Sequence, residues 1–307
     1  MRNISTKVVW NLIKKDKNVV AVTADNGNEI YERIKAEYPN QYVDYGIAEC
    51  NMVAGAAGMA SVGKIPFLYA VTNFMSMRAY EFIRNIVCVP KFNVKFLGRS
   101  AGVVTGTYGM THQGTEDLAV LRTLPNLLVI SPATPVEAKS ATEFAYRYKG
   151  PVYIRLEGYN EPELFDESYK FETGKGQIIH SGERATVISI GSVINEAIEA
   201  ATFFQRKNID IRVINMPMIK PIDSDLILQA AKETGNILTL EEHTIYGGLG
   251  SAVAEVMAEH NCHARLIRMG LNGYAKGCGN RKQMREINKI SSKDIIDNIK
   301  KMLTRGK

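Results

Sequence analysis

What this sequence lacks narrows it before any motif is read. No apolar run approaches the roughly 20 residues that cross a bilayer; the longest are strand-sized. The N-terminal stretch MRNISTKVVWNLIKKD has Lys and Asp where a signal peptide needs an apolar core, so a cytoplasmic protein is expected. The four cysteines, Cys50, Cys88, Cys262 and Cys278, form no CxxC pair, and adjacent Cys262 and His263 are poor geometry for one metal. They read as reduced structural thiols. No GK[ST] follows any glycine-rich stretch, which excludes a Walker-type nucleotide loop. Internal repeats and low-complexity segments are missing too.

What is present suits a globular chain of two domains. Its 307 residues are 45% hydrophobic and 23% charged. The net charge of +6 is uneven: residues 265–307 hold twelve Lys or Arg against three acids, and the rest is net acidic. These basic residues are spread over two amphipathic helical patterns whose apolar positions are Ile287, Ile290, Ile295, Ile296 and Leu303. They read as solvated helix faces, with a subunit contact or attraction to phosphorylated metabolites as the alternatives. Neither nucleic acid nor membrane is an expected partner.

The chain alternates short apolar runs with helical patterns. Strands are expected at 19–24, 65–70, 94–98, 127–131 and 152–156, and helices at 49–62, 78–87, 116–123 and 134–148. Such alternation argues for a parallel sheet covered on both faces. The rhythm breaks at EGYNEPELFDESYKFETGKGQ, residues 157–177, a polar stretch read as an inter-domain connection. A second series follows, with strands at 186–190, 211–215, 237–241 and 264–268 and helices at 193–207, 224–232 and 250–259. The expected fold is α/β, two doubly wound domains: a larger one over 1–160, a connection over 161–180, and a smaller one over 181–307.

Four places carry chemistry. Glu49 opens a helix of Ala, Gly and Met just after the strand-like YVDYG. In α/β sheets ligands sit at the carboxyl ends of strands. Glu49 is either a helix-start acid favoured by the macrodipole or a carboxylate with a dedicated partner. The glycine-rich SAGVVTGTYGMTHQGTED, residues 100–117, holds Tyr108 and His112 and reads as a loop closing over a substrate; a histidine bonded to backbone is the alternative. Arg155 ends a strand run, placed either to pair with phosphate or carboxylate or to bond Glu157. EEHTIYGGLGSAVAEV, residues 241–256, is a glycine turn feeding a helix whose N–H groups suit an anion or a tight turn.

Taken together and in order, these segments resemble the transketolase family of thiamine-diphosphate enzymes. VDYGIAECNMVAGAAGMA is similar to its GIAE-x-NM segment, and TYGMTHQGTEDLAVLRTLPNLLVISPATPVEA to its THQ…ED…LR…PN…PAD segment. EEHTIYGGLGSAVAEV is similar to its C-terminal domain. No GDG motif of the diphosphate domain is present, so the chain resembles the C-terminal subunit of a split transketolase. The resemblance implies thiamine diphosphate shared with an N-terminal subunit that binds Mg2+, self-association through the first domain, two of each subunit, and sugar substrates. It also implies site roles. Glu49 bonds the aminopyrimidine and favours the tautomer that draws the proton from the thiazolium carbon. Phe74 stacks on that ring, and Asp25 lies near the cofactor. His112 bonds the donor sugar, and Arg155 holds the substrate phosphate. The family's pattern is broken where Tyr108 replaces an aspartate, Ser100 a histidine and Val71 an aromatic, which puts the ordinary pentose-phosphate substrates in question. A deoxyxylulose-phosphate synthase-like enzyme, a 2-oxo acid dehydrogenase beta subunit and a non-catalytic scaffold are the competing readings.

Overall fold

The computed structural model describes residues 1–158 and 161–304. Tyr159 and Asn160 of the connecting stretch, and residues 305–307 of the basic tail, lie outside the described residues. The chain divides into two compact units. The first comprises Met1–Ala101 and Val120–Phe171; the second comprises Gly102–Ala119 and the chain from Glu172 onward.

The first unit holds β1 (Val19–Thr23), β2 (Tyr42–Asp44), β3 (Ile65–Val71), β4 (Lys95–Arg99), β5 (Leu128–Ile130) and β6 (Val152–Leu156). These lie in the order β5-β6-β4-β3-β1-β2, every pair parallel. β1 and β6 are buried at every position, so both faces are covered. This is why neither sequence alternates polar with apolar residues, Arg155 of β6 being the charged exception. The helices are α1 (Arg2–Ile13), α2 (Glu29–Glu37), α3 (Glu49–Ser61), the single turn α4 (Tyr80–Phe82), α5 (Asp117–Arg122) at the boundary between the units, and α6 (Pro135–Arg147). α6 starts where its sequence says it should. Thr134 accepts a hydrogen bond from the Glu137 N–H, and Pro135 fills the first turn.

One segment departs from expectation. In place of a regular helix over 78–87, two π-helical turns, Phe74–Arg78 and Ile83–Cys88, flank α4. A π turn advances about 4.4 residues, and no local sequence signal marks one; packing selects it. Met75 and Ser76 are buried in the first of them, while Met77 and Arg78 face outward.

The second unit holds β7 (Gln177–His180), β8 (Ala185–Ile190), β9 (Ile211–Asn215), β10 (Met218–Lys220), β11 (Asn236–Thr244) and β12 (Arg265–Leu271). Its sheet runs β12-β11-β8-β9-β7 and does not include β10. All pairs are parallel except β7 with β9, an antiparallel edge that the sequence did not announce. Its helices are α7 (Ile194–Gln205), α8 (Ser224–Thr234), α9 (Leu249–Glu259), α10 (Arg281–Ile287) and α11 (Ser292–Thr304). α11 buries Ile295, Ile299 and Met302. Ile287, expected as an apolar contact, is exposed instead, because α10 is seated through Met284 and Arg285. The fold is thus two α/β units with mostly parallel sheets. No helix among the described residues is long and apolar enough to cross a membrane.

Candidate active site

In the first unit, the order β4-β3-β1-β2 places four strand ends side by side. The residues that follow them are Ser100 after β4, Phe74 after β3, Asp25 after β1 and Glu49 after β2. A parallel sheet thereby gathers residues far apart in sequence along its carboxyl edge. The Asp44 carboxylate organises part of this edge. Its Oδ1 accepts the N–H of Asp25 and the N–H of Gly46, each at 2.9 Å. Asp25 is held in the left-handed region at φ 53°, and Gly46 at φ 64°, where glycine costs nothing.

α3 starts on Ala48, which offers no side-chain cap, and Glu49 is its first residue. The Glu49 carboxylate is 1% exposed. It does not turn to water; it accepts a hydrogen bond from Nη1 of Arg78 at 2.6 Å. The π turn brings the same guanidinium over Phe74, 4.8 Å from the ring centre. Arg78 is itself half exposed, and its carbonyl accepts the Cys50 thiol at 3.3 Å. Further along α3, Gly55 receives the Tyr45 ring: a Cβ there would lie 1.8 Å from the Tyr45 hydroxyl, so a larger residue must displace that side chain.

The glycine-rich stretch Gly102–Ala119 belongs to the second unit. It folds into two 3-10 turns, Gly106–Tyr108 and Met110–His112, closed by a bridge between Gly102 and Gly114. Thr105 donates to the His112 carbonyl at 2.7 Å, and the Thr111 hydroxyl meets His112 Nδ1 at 3.0 Å. The rings of Tyr108 and His112 are 5.5 Å apart, with Tyr108 largely exposed. This pair presents an aromatic hydroxyl and an imidazole side by side.

What holds that loop is Glu242, which is fully buried. It accepts from Arg281 Nε at 2.9 Å, from Arg285 Nε at 2.5 Å and from the Val103 N–H at 3.2 Å. Burial pushes its carboxyl up, but the Arg281 and Arg285 charges more than offset this and bring it down to about 2. Gly102 sits at φ +67°, and a Cβ there would meet Glu242 Oε2 at 2.4 Å.

Neighbouring Glu241 points the other way, as alternation along a strand demands. It accepts the N–H groups of Leu249 and Gly250 at 2.7 and 2.9 Å. The glycine turn before α9, a candidate anion cradle in the sequence, is therefore filled by the chain's own carboxylate. Arg155 is fully buried and bonds Glu157 at 3.1 Å, the ion-pair alternative of the two that the sequence allows. Ser100 is fully buried at φ 63° and accepts from Arg99 at 3.3 Å. The structure thus groups Glu49 with Phe74, and Tyr108 with His112. Sequence reading missed Arg78 and Asp44 on the first unit and the Glu242 cluster on the second.

Paired α/β units with chemistry at strand ends are common to many enzymes, and comparison with known proteins narrows the class. Residues 1–160 match the transketolase pyrimidine-binding domain and residues 174–295 the transketolase C-terminal domain. The chain belongs to the transketolase family. It is 35% identical to one subunit of the apulose-4-phosphate transketolase of Actinobacillus succinogenes, over 97% of this chain and 96% of that one. It is 36% identical to the 1-deoxy-D-xylulose-5-phosphate synthase of Synechocystis over 85% of this chain, but that match spans only 41% of the synthase. A solved structure described as a split-gene transketolase, an inactive beta4 tetramer, superimposes with a TM-score of 0.90 at 35% identity, covering 99% of this chain and 98% of that one.

Proposed function

We infer that this chain is the C-terminal subunit of a split, thiamine-diphosphate-dependent transketolase that transfers a ketol unit between phosphorylated sugars. It acts with a partner subunit that carries the diphosphate-binding domain and most of the magnesium ligands. The observation that carries this reading is Glu49, a buried carboxylate bonded to a planar N–H donor that lies on the Phe74 ring. A group of that shape already fits there, so the residues fit an aminopyrimidine. When bound, the cofactor supplies a nucleophilic carbon that carries the ketol unit.

The chain's own residues do the rest. Glu49 holds a proton at the pyrimidine nitrogen it bonds; a carboxylate shielded from water does this far more strongly than one in solvent. Phe74 covers the ring face, and Asp25 lines the neighbouring strand end. His112 and Tyr108 orient the sugar hydroxyls. Arg155, buried and bonded to Glu157, would hold a substrate phosphate with its other N–H donors, and Ser100 contributes once its buried hydroxyl is uncovered. The partly exposed Ala54 and the exposed Gly58 and Ser61 give α3 a surface of small residues suited to self-association, in an assembly of two of each subunit. The apulose-4-phosphate relative supports a phosphorylated sugar and a second subunit. The inactive tetramer of beta chains supports dependence on that partner.

Calorimetry tests the reading. The chain alone with magnesium is expected to bind thiamine diphosphate weakly, and the chain with its partner to bind it tightly and transfer the ketol unit. Sub-micromolar binding by the chain alone sinks the split-subunit assignment; no binding by the complex sinks the cofactor assignment.

A further inference from the structure

The partner of Glu49 has a telling shape. A guanidinium is planar, delocalised and rich in N–H donors along an N–C–N edge. The aminopyrimidine of thiamine diphosphate is also planar, and one protonated ring nitrogen of it presents a single N–H to a carboxylate. Arg78 satisfies both halves of the recognition at once, bonding Glu49 at 2.6 Å and lying 4.8 Å from the centre of the Phe74 ring. Two flat groups cannot share that face of Phe74 and that oxygen of Glu49.

We propose that Arg78 is an internal stand-in for the aminopyrimidine: it holds Glu49 and the face of Phe74, and gives up both to the cofactor on binding. The inference rests on the roles of Glu49 and Phe74 given under Proposed function. Its physical basis is the unequal exposure of the pair. Glu49 is 1% exposed, and a carboxylate so buried is unfavourable without a partner. The Arg78 side chain is 49% exposed, so its guanidinium has a short path to water. Met75 and Ser76 fix the turn from inside, and the Cys50 thiol bonds the Arg78 carbonyl at 3.3 Å. The exchange is therefore a side-chain rotation on a fixed backbone. Glu49 meets a cationic or protonated partner before and after it. The cofactor binds against a competing contact, and its apparent affinity falls by the fraction of molecules in which Arg78 must be displaced.

The test uses the complex reconstituted with the partner subunit. The probes are thiamine diphosphate and the fragment 4-amino-5-aminomethyl-2-methylpyrimidine, which isolates the pyrimidine contacts. By calorimetry, Arg78→Ala should bind both probes about fivefold more tightly, the scale of a half-exposed ion pair. Arg78→Lys keeps the charge but loses the planar fork, and should fall between parent and Arg78→Ala. A second readout is the thermal midpoint. Arg78→Ala should unfold earlier than the parent without cofactor, and the gap should close at saturating cofactor. A merely structural arginine would leave the gap open. Equal or weaker binding of both probes by Arg78→Ala overturns the proposal, since Arg78 then stays beside Glu49 and helps hold the ring. If Arg78→Ala fails to assemble, Arg78→Lys decides: tighter binding supports the stand-in, equal or weaker binding overturns it. A parent complex that binds neither probe overturns the reading of Glu49 itself, and this inference with it.

Discussion

Glu49 and Glu242 are both buried carboxylates that meet arginine, one in each unit, and they are built differently. Glu49 has a single arginine whose side chain is half in water. Glu242 has two, Arg281 and Arg285, of which the second is also bonded to Glu196 at 3.1 Å, and it accepts a backbone N–H besides. One arrangement can exchange its partner; the other cannot without pulling a loop from its seat. Burial and pairing alone therefore do not separate the carboxylate proposed to meet a cofactor from the one that anchors a loop. The freedom of the partner does.

Removing Glu242 should have the largest effect. Glu242→Ala takes the shared carboxylate from Arg281 and Arg285, leaves Arg285 its bond to Glu196, and releases the Val103 N–H. Breaking a buried pair costs about 3–5 kcal/mol, and the partial exposure of Arg281 points to the lower end. Urea unfolding measures this, and a loss under about 1 kcal/mol would erase the contrast with Glu49. Glu49→Gln sharpens the comparison from the other side. An amide keeps a hydrogen bond to Arg78, so stability should change little. Proton exchange at the thiazolium carbon, followed by NMR in the reconstituted complex, should slow about a hundred- to thousandfold. His112→Ala should leave that exchange alone while turnover drops through lost orientation of the donor. Unchanged exchange in Glu49→Gln would reduce Glu49 to a helix-start acid.

The smallest effect is a pH dependence. The Glu242 carboxyl is brought from an ordinary 4.5 down to about 2 in the folded chain. Its folded value lies below its unfolded one, so the stability it contributes is complete above pH 4.5 and is lost as pH falls toward 2. Denaturation midpoints across that window should slope less steeply for Glu242→Gln than for the parent. Equal slopes would mean that other carboxylates dominate.

The parts legible in the sequence were those where local pattern and packing agree. β1, VVAVT, is apolar up to its last residue and buried throughout, and α6 carries its own cap in Thr134 and Pro135. α1 went unread because it buries polar groups. Arg2, Ser5 and Thr6 face inward, with Arg2 Nε donating to the Glu157 carbonyl at 2.7 Å and Thr142 donating to Ser5 at 3.0 Å. Val8, Val9 and Ile13 are buried beside them, so the apolar spacing marks only the second half of a helix whose first turns are seated on polar bonds. Glu49 was visible because a lone acid precedes a run of small apolar residues. Arg78 was not, since it approaches Glu49 only through a π turn. The adjacent Glu241 and Glu242 looked alike in sequence, and strand alternation sent one to a helix start and the other to a loop.

The loop Gly102–Ala119 belongs to the second unit, yet the chain on both sides of it belongs to the first. The chain therefore enters the second unit, returns to the first and then enters the second again. A protein cut after Phe171 would yield a front piece carrying a loop without its Glu242 anchor, and a back piece whose Arg281 and Arg285 grip a carboxylate that has lost the Val103 N–H. Anyone dividing or recombining such subunits along the linear boundary would sever a fastening that the linear boundary does not show.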